Sequence, residues 1–161
     1  MRKQPYLLAI LAVALALPAT TAFAQDNSTL DSDIAVLRSD LRAQKTQIVS
    51  DQLKLSDAEG KTFWPIYRDY ETEMSKLNDE KVSIIKDYAA SYDTITDAQI
   101  QSLADRTFKL ENKRTDLKQK YFKKISKAVS PKTAARFIQL DNRLDLLMNL
   151  QIADSVPMLA K

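Results

Sequence analysis

Two helix start signals constrain the fold of this chain more than any other feature of its sequence. Each signal is an apolar residue, a Ser or Thr cap and, three positions after the cap, a Glu or Gln. The two motifs comprise Leu55, Ser56, Glu59, Ile95, Thr96 and Gln99. In such a capping box the hydroxyl accepts from the third residue's N–H, and that residue's side chain accepts from the N–H of the cap. Each box opens a long run of apolar residues at helical spacing, so the pattern predicts two long helices packed antiparallel as a hairpin.

The hairpin is the expected centre of an all-α fold with one further helix on each side. The periodicity predicts four helices, over about 32–52, 56–90, 96–129 and 131–154. A proline inside the second helix, Pro65, predicts a bend there. The fourth helix has apolar residues on two sides, and such a helix is expected to be buried on both. One side comprises Phe137, Leu140, Leu144 and Leu147, and the other comprises Ile138, Leu146 and Leu150.

The start of the chain has the features of a secretory signal peptide. Arg2 and Lys3 precede an apolar run that is too short to span a membrane, and Ala22 and Ala24 form a small-x-small cleavage site. We therefore expect export to the periplasm, cleavage after Ala24 and no stable membrane insertion afterwards. The expected divisions are a signal peptide over 1–24, a flexible start over 25–31, a single helical domain over 32–156 and a short tail over 157–161.

The composition argues against most kinds of catalytic site. The chain contains no His, no Cys and a single Gly. A histidine base, a catalytic triad, a thiolate centre and a glycine-rich phosphate loop are therefore excluded. We predict no enzyme activity, no cofactor and no resident metal, although carboxylates alone could bind a hard cation weakly.

Charge is distributed unevenly along the chain. Residues 25–100 carry nine positive and 15 negative side chains, whereas residues 101–136 carry 11 positive and three negative ones. A stripe of cations follows the third helix and comprises Arg106, Lys109, Lys113, Lys120, Lys123, Lys124 and Lys127. This stripe could be a surface that attracts acidic or unfolded proteins, anionic lipid or a nucleic acid. Alternatively it is a solvated face, or it pairs with the acidic second helix or with a partner subunit. Nucleic acid is not expected as a partner, because the start of the chain predicts export.

Two other groups on the second helix have alternative interpretations. The aromatic set of Phe63, Trp64, Tyr67, Tyr70, Tyr88 and Tyr92 is either helix–helix core or a binding groove. Trp64 lies off the core stripe and is the member that best fits a contact with a client or a subunit. The acidic set of Asp69, Glu73, Asp79, Glu80 and Asp87 is either a solvated face or a weak cation site.

The two cap motifs, each at the start of a long helix behind an export signal, resemble the Leu-Thr-x-x-Gln motifs of the Spy/CpxP-like periplasmic proteins. The first copy has Ser and Glu in place of Thr and Gln, and the second has Ile in place of Leu. Residues 55–147, with Phe63-Trp64-Pro65-Ile66-Tyr67 and Arg136-Phe137-Ile138-Gln139-Leu140, look still more like an uncharacterised bacterial branch of such exported proteins. The resemblance implies a bent hairpin that dimerises into a curved cradle.

The resemblance also implies two functions: ATP-independent binding of unfolded proteins, or regulation of an envelope-stress or metal-sensing kinase. The chain departs from the zinc-binding relatives, because their histidine-rich sites have no counterpart here. We expect a holdase-like homodimer that binds unfolded or envelope proteins, with a sensor-kinase accessory or a metal-responsive protein as alternatives. The expected binding residues are Trp64, Arg106, Lys109, Lys113, Lys120, Lys124, Lys127, Leu146 and Leu150.

Overall fold

The structure, a computed structural model, describes residues 42–159. The chain divides between Arg38 and Ser39 into two units, and every described residue belongs to the second. The predicted signal peptide, flexible start and first part of the N-terminal helix therefore lie outside the described residues. Within the described part of the chain the fold is all-α, as predicted.

The described residues form four helices. Helix α1 includes residues 42–53, α2 is Asp57–Ser91, α3 is Asp97–Ala128 and α4 is Pro131–Ser155. Wherever the helix ends are described they lie within one or two residues of the predicted positions. Helix α2 is continuous through Pro65, and the predicted bend stays a prediction.

The start of each long helix follows the chemistry of its cap. The Ser56 N–H donates to Glu59 at 2.9 Å while the Glu59 N–H donates back to the Ser56 hydroxyl at 3.4 Å. Thr96 and Gln99 make the same reciprocal pair, with distances of 2.9 and 3.3 Å. Both capping boxes are thereby confirmed. Ser130 caps α4 with a single hydrogen bond, in which its hydroxyl accepts from the Thr133 N–H. Pro131 follows at the first helical position, where an N–H would have no partner within the helix.

Contacts between side chains give the direction of each helix. Helix α3 returns antiparallel along α2, since Arg106 contacts Asp87 while Lys124 contacts Asp69. Helix α4 runs antiparallel to α3, since Lys118 contacts Asn142 while Arg114 contacts Asp145. The tail after α4 lies beside the far end of α2, where the Tyr88 and Tyr92 hydroxyls each donate to a tail carbonyl at 2.8 Å.

The core lies mainly at the end of the bundle where α1 meets the start of α2. It comprises Val49, Leu53, Phe63, Ile66, Tyr67, Tyr70, Met74, Leu117, Tyr121, Ile125, Ala134 and Phe137. Towards the turn between α2 and α3 the only other buried apolar residues among those described are Ile84 and Leu110. The apolar residues at helical spacing are buried mainly in the first half of α2 and the second half of α3, so the bundle is packed most tightly at one end.

Candidate functional site

Three of the six residues of the aromatic set, Phe63, Tyr67 and Tyr70, belong to the core, while Trp64, Tyr88 and Tyr92 are only partly buried. Phe137 of α4 stands edge-on to Phe63, Tyr67 and Tyr70, with ring centroids 5.6, 5.9 and 5.2 Å away. Such edge-to-face pairs add stabilisation beyond the area they bury. The core interpretation therefore holds for these residues. Trp64 differs, because its ring lies edge-on to Phe63 and Tyr67 but stays only half-buried.

The cationic stripe of α3 is largely occupied by α2. Four ion pairs join the two helices: Arg106–Asp87 at 2.6 Å, Lys113–Glu80 at 3.0 Å, Lys120–Glu73 at 2.8 Å and Lys124–Asp69 at 3.1 Å. Each step of seven, seven and four residues along α3 is matched by an equal step back along α2, as an antiparallel pair requires. We call these four pairs the ion-pair ladder. It favours the interpretation in which the stripe pairs with the acidic second helix.

The ladder sets the register of the hairpin more than it adds stability, because exposed ion pairs contribute only about 0–1 kcal/mol each. Replacing Lys113 by glutamate is expected to lower the free energy of unfolding by about 1 kcal/mol, since like charges then face each other. Adding Glu80→Lys to Lys113→Glu should restore most of the loss, as measured by urea unfolding.

The matched control is Lys109→Glu, a charge reversal on the same helix at an exposed lysine outside the ladder. It should change the stability by no more than about 0.5 kcal/mol. A double variant that is no more stable than Lys113→Glu alone would contradict the antiparallel register.

Three members of the stripe remain outside the ladder. Lys109, Lys123 and Lys127 are exposed and form no ion pair with any residue between 42 and 159. Of the predicted binding cations, Lys109 and Lys127 are therefore open to solvent, whereas Arg106, Lys113, Lys120 and Lys124 already have carboxylate partners.

A buried polar network that the sequence did not reveal connects all four helices. Its centre is Asp141, whose residue exposure is 0%. The Asp141 carboxylate accepts from the Lys45 ammonium at 2.8 Å and from the Tyr70 hydroxyl at 2.5 Å, and it lies 3.4 Å from the Lys118 ammonium. Since Lys45 comes from α1, Tyr70 from α2, Lys118 from α3 and Asp141 from α4, one carboxylate links every helix of the bundle.

The network balances its charges. Lys118 also reaches Asp145 at 2.6 Å, Arg114 pairs with Asp145 at 2.9 Å, and Lys45 lies 2.9 Å from Glu71. It therefore contains three cations and three carboxylates. Buried charges are tolerated when each has opposite charges and hydrogen bonds around it.

The electrostatics of the network shift the pKa values of two of its charged members, Lys45 and Asp145. Burial alone would lower the pKa of Lys45, but the carboxylates of Asp141 and Glu71 outweigh it and hold that pKa above its ordinary value. Burial alone would raise the pKa of Asp145, yet the hydrogen bond from Lys118 and the charge of Arg114 bring it below its usual range. The contribution of Asp145 to stability is therefore present above its unfolded pKa and is lost only as the pH falls through the lower folded pKa.

The apolar residues of α4 lie differently from the prediction. The buried face of the helix comprises Thr133, Ala134, Phe137, Asp141 and Asp145. Leu147 was expected in the core and is 61% exposed, while Leu146 and Leu150 are 69% and 68% exposed. Burial of α4 on two sides is therefore wrong within this chain, because the inward positions carry the carboxylates of the network. We call Leu146, Leu147 and Leu150 the leucine patch.

A cationic groove lies beside Trp64, between α1 and the start of α2. Two adjoining depressions of about 550 and 740 Å³ share Ser50, Trp64 and Arg68. Their other lining residues are Arg42, Ala43, Thr46, Gln47, Lys54, Leu55, Ser56, Asp57, Gly60, Lys61, Pro65 and Tyr67. The Trp64 indole lies over Gly60, where a Cβ atom would stand 3.4 Å from the indole nitrogen, at ordinary contact distance. The sequence indicated Trp64 but gave no sign of the four cations around it, because one of them, Arg42, comes from α1 and another, Lys54, comes from the loop after α1.

No group of three or more carboxylates that could hold a metal ion occurs among residues 42–159. Four of the five acidic residues of α2 considered for that role are members of the ion-pair ladder. None of the helices in that part of the chain is both long and apolar enough to cross a membrane. Comparison of the chain with protein-family models, with curated proteins and with solved structures finds no match.

Proposed function

We propose that the protein is an exported, holdase-like chaperone that binds unfolded proteins in the periplasm without ATP. The observation that carries the proposal is the leucine patch. Its three members lie one, three and four residues apart, so they are neighbours on one helix surface, and each exposes more than half of its area. Contiguous exposed apolar surface is characteristic of sites that bind other proteins.

The proposed mechanism combines apolar contact with capture by charge. The leucine patch takes up apolar segments of a client, and cations without an ion-pair partner among residues 42–159 attract acidic segments. The sequence-based hypothesis assigned that capture to six cations of α3, namely Arg106, Lys109, Lys113, Lys120, Lys124 and Lys127. Because four of its cations are engaged in the ladder, the proposal now limits the contribution of α3 to Lys109 and Lys127.

We propose further that the protein acts after removal of residues 1–24, and that it forms a homodimer through apolar surface of this kind. The dimeric cradle rests on the resemblance of the two cap motifs to those of the Spy/CpxP-like proteins. The second candidate function is an accessory of a membrane sensor kinase. The same leucine patch favours it, since a single complementary partner would also cover three neighbouring leucines.

The test is the aggregation of an unrelated unfolding protein, with and without the purified protein and with no nucleotide. Suppression near equimolar ratio is expected, and the double substitution Leu146→Ser/Leu150→Ser should remove most of it without loss of stability. The matched control is Phe108→Ser, which changes a 68% exposed apolar residue on α3 outside the patch. Failure of the folded wild-type protein to suppress aggregation would reject general chaperoning and leave the accessory function.

A further inference from the structure

We infer that the groove beside Trp64 binds an extended acidic polypeptide segment that also carries an aromatic or large aliphatic side chain. This inference deepens the proposed function, and it depends on that function only for identifying the segment as part of a client. It adds, to Lys109 and Lys127 of α3, a second surface of the molecule that captures acidic segments.

The first argument is that the cations lining the groove have no ion-pair partners among the described residues. Arg42, Lys54, Lys61 and Arg68 all line the groove, and none of them forms an ion pair within the described range 42–159. The only carboxylate in the lining is Asp57. This differs from the depression between α2 and α3, where Lys113 and Lys120 line the surface together with a carboxylate partner, Glu73. The groove beside Trp64 therefore has unbalanced positive charge.

The second argument is the presence of polar and aromatic groups without partners. Trp64 is half-buried and presents part of its indole to the groove. Tyr67 is only 2% exposed, and its hydroxyl makes no hydrogen bond of normal geometry, while the hydroxyl of the nearby Thr46 donates to the Arg42 carbonyl. Burial and the nearby Glu71 charge raise the pKa of Tyr67 to about 12, so this hydroxyl remains a donor at neutral pH. Such groups favour a ligand that brings both apolar surface and acceptor oxygens.

The third argument is the length of the groove. One pair of cations, Lys54 and Lys61, lies near the loop between the helices, and the other pair, Arg42 and Arg68, lies further along. The twelve residues of α1 over 42–53 span about 18 Å of helix, which corresponds to about five or six residues of extended chain. A phosphate or a lipid headgroup would meet one end only. An extended peptide can place one carboxylate at each pair of cations and an apolar side chain between them, against the Trp64 indole.

Trp64 is the single tryptophan of the chain, so its fluorescence reports on the groove directly. The probe is an octapeptide in which two aspartates flank a phenylalanine and a leucine, titrated into the purified protein. We expect a saturable change in Trp64 emission that weakens at least tenfold when both aspartates are replaced by asparagine. Raising the salt concentration from 0.05 to 0.5 M should weaken binding similarly, because exposed charges are screened.

The variant Lys61→Gln/Arg68→Gln should weaken binding at least tenfold. Its matched control, Lys86→Gln/Lys123→Gln, removes two exposed cations elsewhere and should bind like the wild type. Equal binding of the asparagine peptide, or equal binding by the groove variant and its control, would overturn the inference. Stronger binding to phosphatidylglycerol vesicles than to the acidic peptide would also overturn it.

The same variants separate this inference from the proposed function. If the wild type suppresses aggregation and the acidic peptide leaves Trp64 emission unchanged, the groove inference fails while the chaperone proposal stands. If the peptide binds through the groove and the folded protein suppresses no aggregation, the groove inference stands and its ligand belongs to a dedicated partner.

Discussion

Replacing Asp141 by asparagine is expected to lower the free energy of unfolding by about 3 to 5 kcal/mol. The substitution keeps the shape of the side chain but removes the negative charge that faces Lys45 at 2.8 Å and Lys118 at 3.4 Å. Two largely buried ammonium groups then lose a carboxylate, and the remaining amide cannot replace its charge. Urea unfolding followed by circular dichroism measures the loss.

The control for this prediction is Asp105→Asn, the same change at an exposed position of α3. It should stay within about 0.5 kcal/mol of the wild type. A further check uses non-additivity: Lys45→Gln should cost less in the Asp141→Asn background than alone, because its main partner is already gone. A loss below about 1 kcal/mol for Asp141→Asn would mean that the buried network does not hold the helices together.

The second large effect is expected for Phe137→Ala, which should cost about 3 to 5 kcal/mol. Phe137 is 0% exposed, and its ring touches three aromatic rings of α2. Truncation leaves a cavity whose aromatic walls are fixed by α2 and cannot collapse fully. The expected observation is a large drop in the thermal midpoint with the helical signal at low temperature retained.

Phe108→Ala is the matched control, since it makes the same truncation where the ring is 68% exposed. Its effect on stability should be within about 0.5 kcal/mol. Similar losses at the two positions would contradict the placement of the core at the α1 end of the bundle.

The helices and their starts could be predicted because their causes are local. Ser56 with Glu59, Thr96 with Gln99, and Ser130 before Pro131 each act within one turn of helix, so the letters of the sequence contain the whole interaction. The antiparallel packing of α2 and α3 followed from a short turn between two long apolar stripes.

The buried network could not be predicted in the same way. Arg114 falls at helical spacing between Leu110 and Leu117 of α3, which is a sign in the sequence that the core contains ions. Asp141 and Asp145 are four residues apart on α4, a spacing that also occurs on solvated helix faces. The positions of Lys45 and Lys118, on two other helices, decide that these carboxylates point inward. For the same reason Leu147 was wrongly assigned to the core, whereas Leu140 packs against the core as predicted.

The uneven core has a consequence for how the molecule opens. Near the α1 end, unfolding any one helix would expose aromatic rings and leave a buried member of the charge network without its partner. The helical segments at this end are therefore expected to unfold together. Beyond Ile84 and Leu110, the hairpin is held by the outer part of the ladder and by the hydroxyls of Tyr88 and Tyr92 on the tail carbonyls. We expect that end to open while the rest stays folded, because fewer apolar side chains are buried there. The leucine patch lies along the half of α4 that reaches this end, where Asn149 accepts from Lys81. The leucine patch therefore lies on the part of the bundle that is expected to change shape at the lowest cost in free energy. Such a change would let one small apolar surface fit ligands of different shapes.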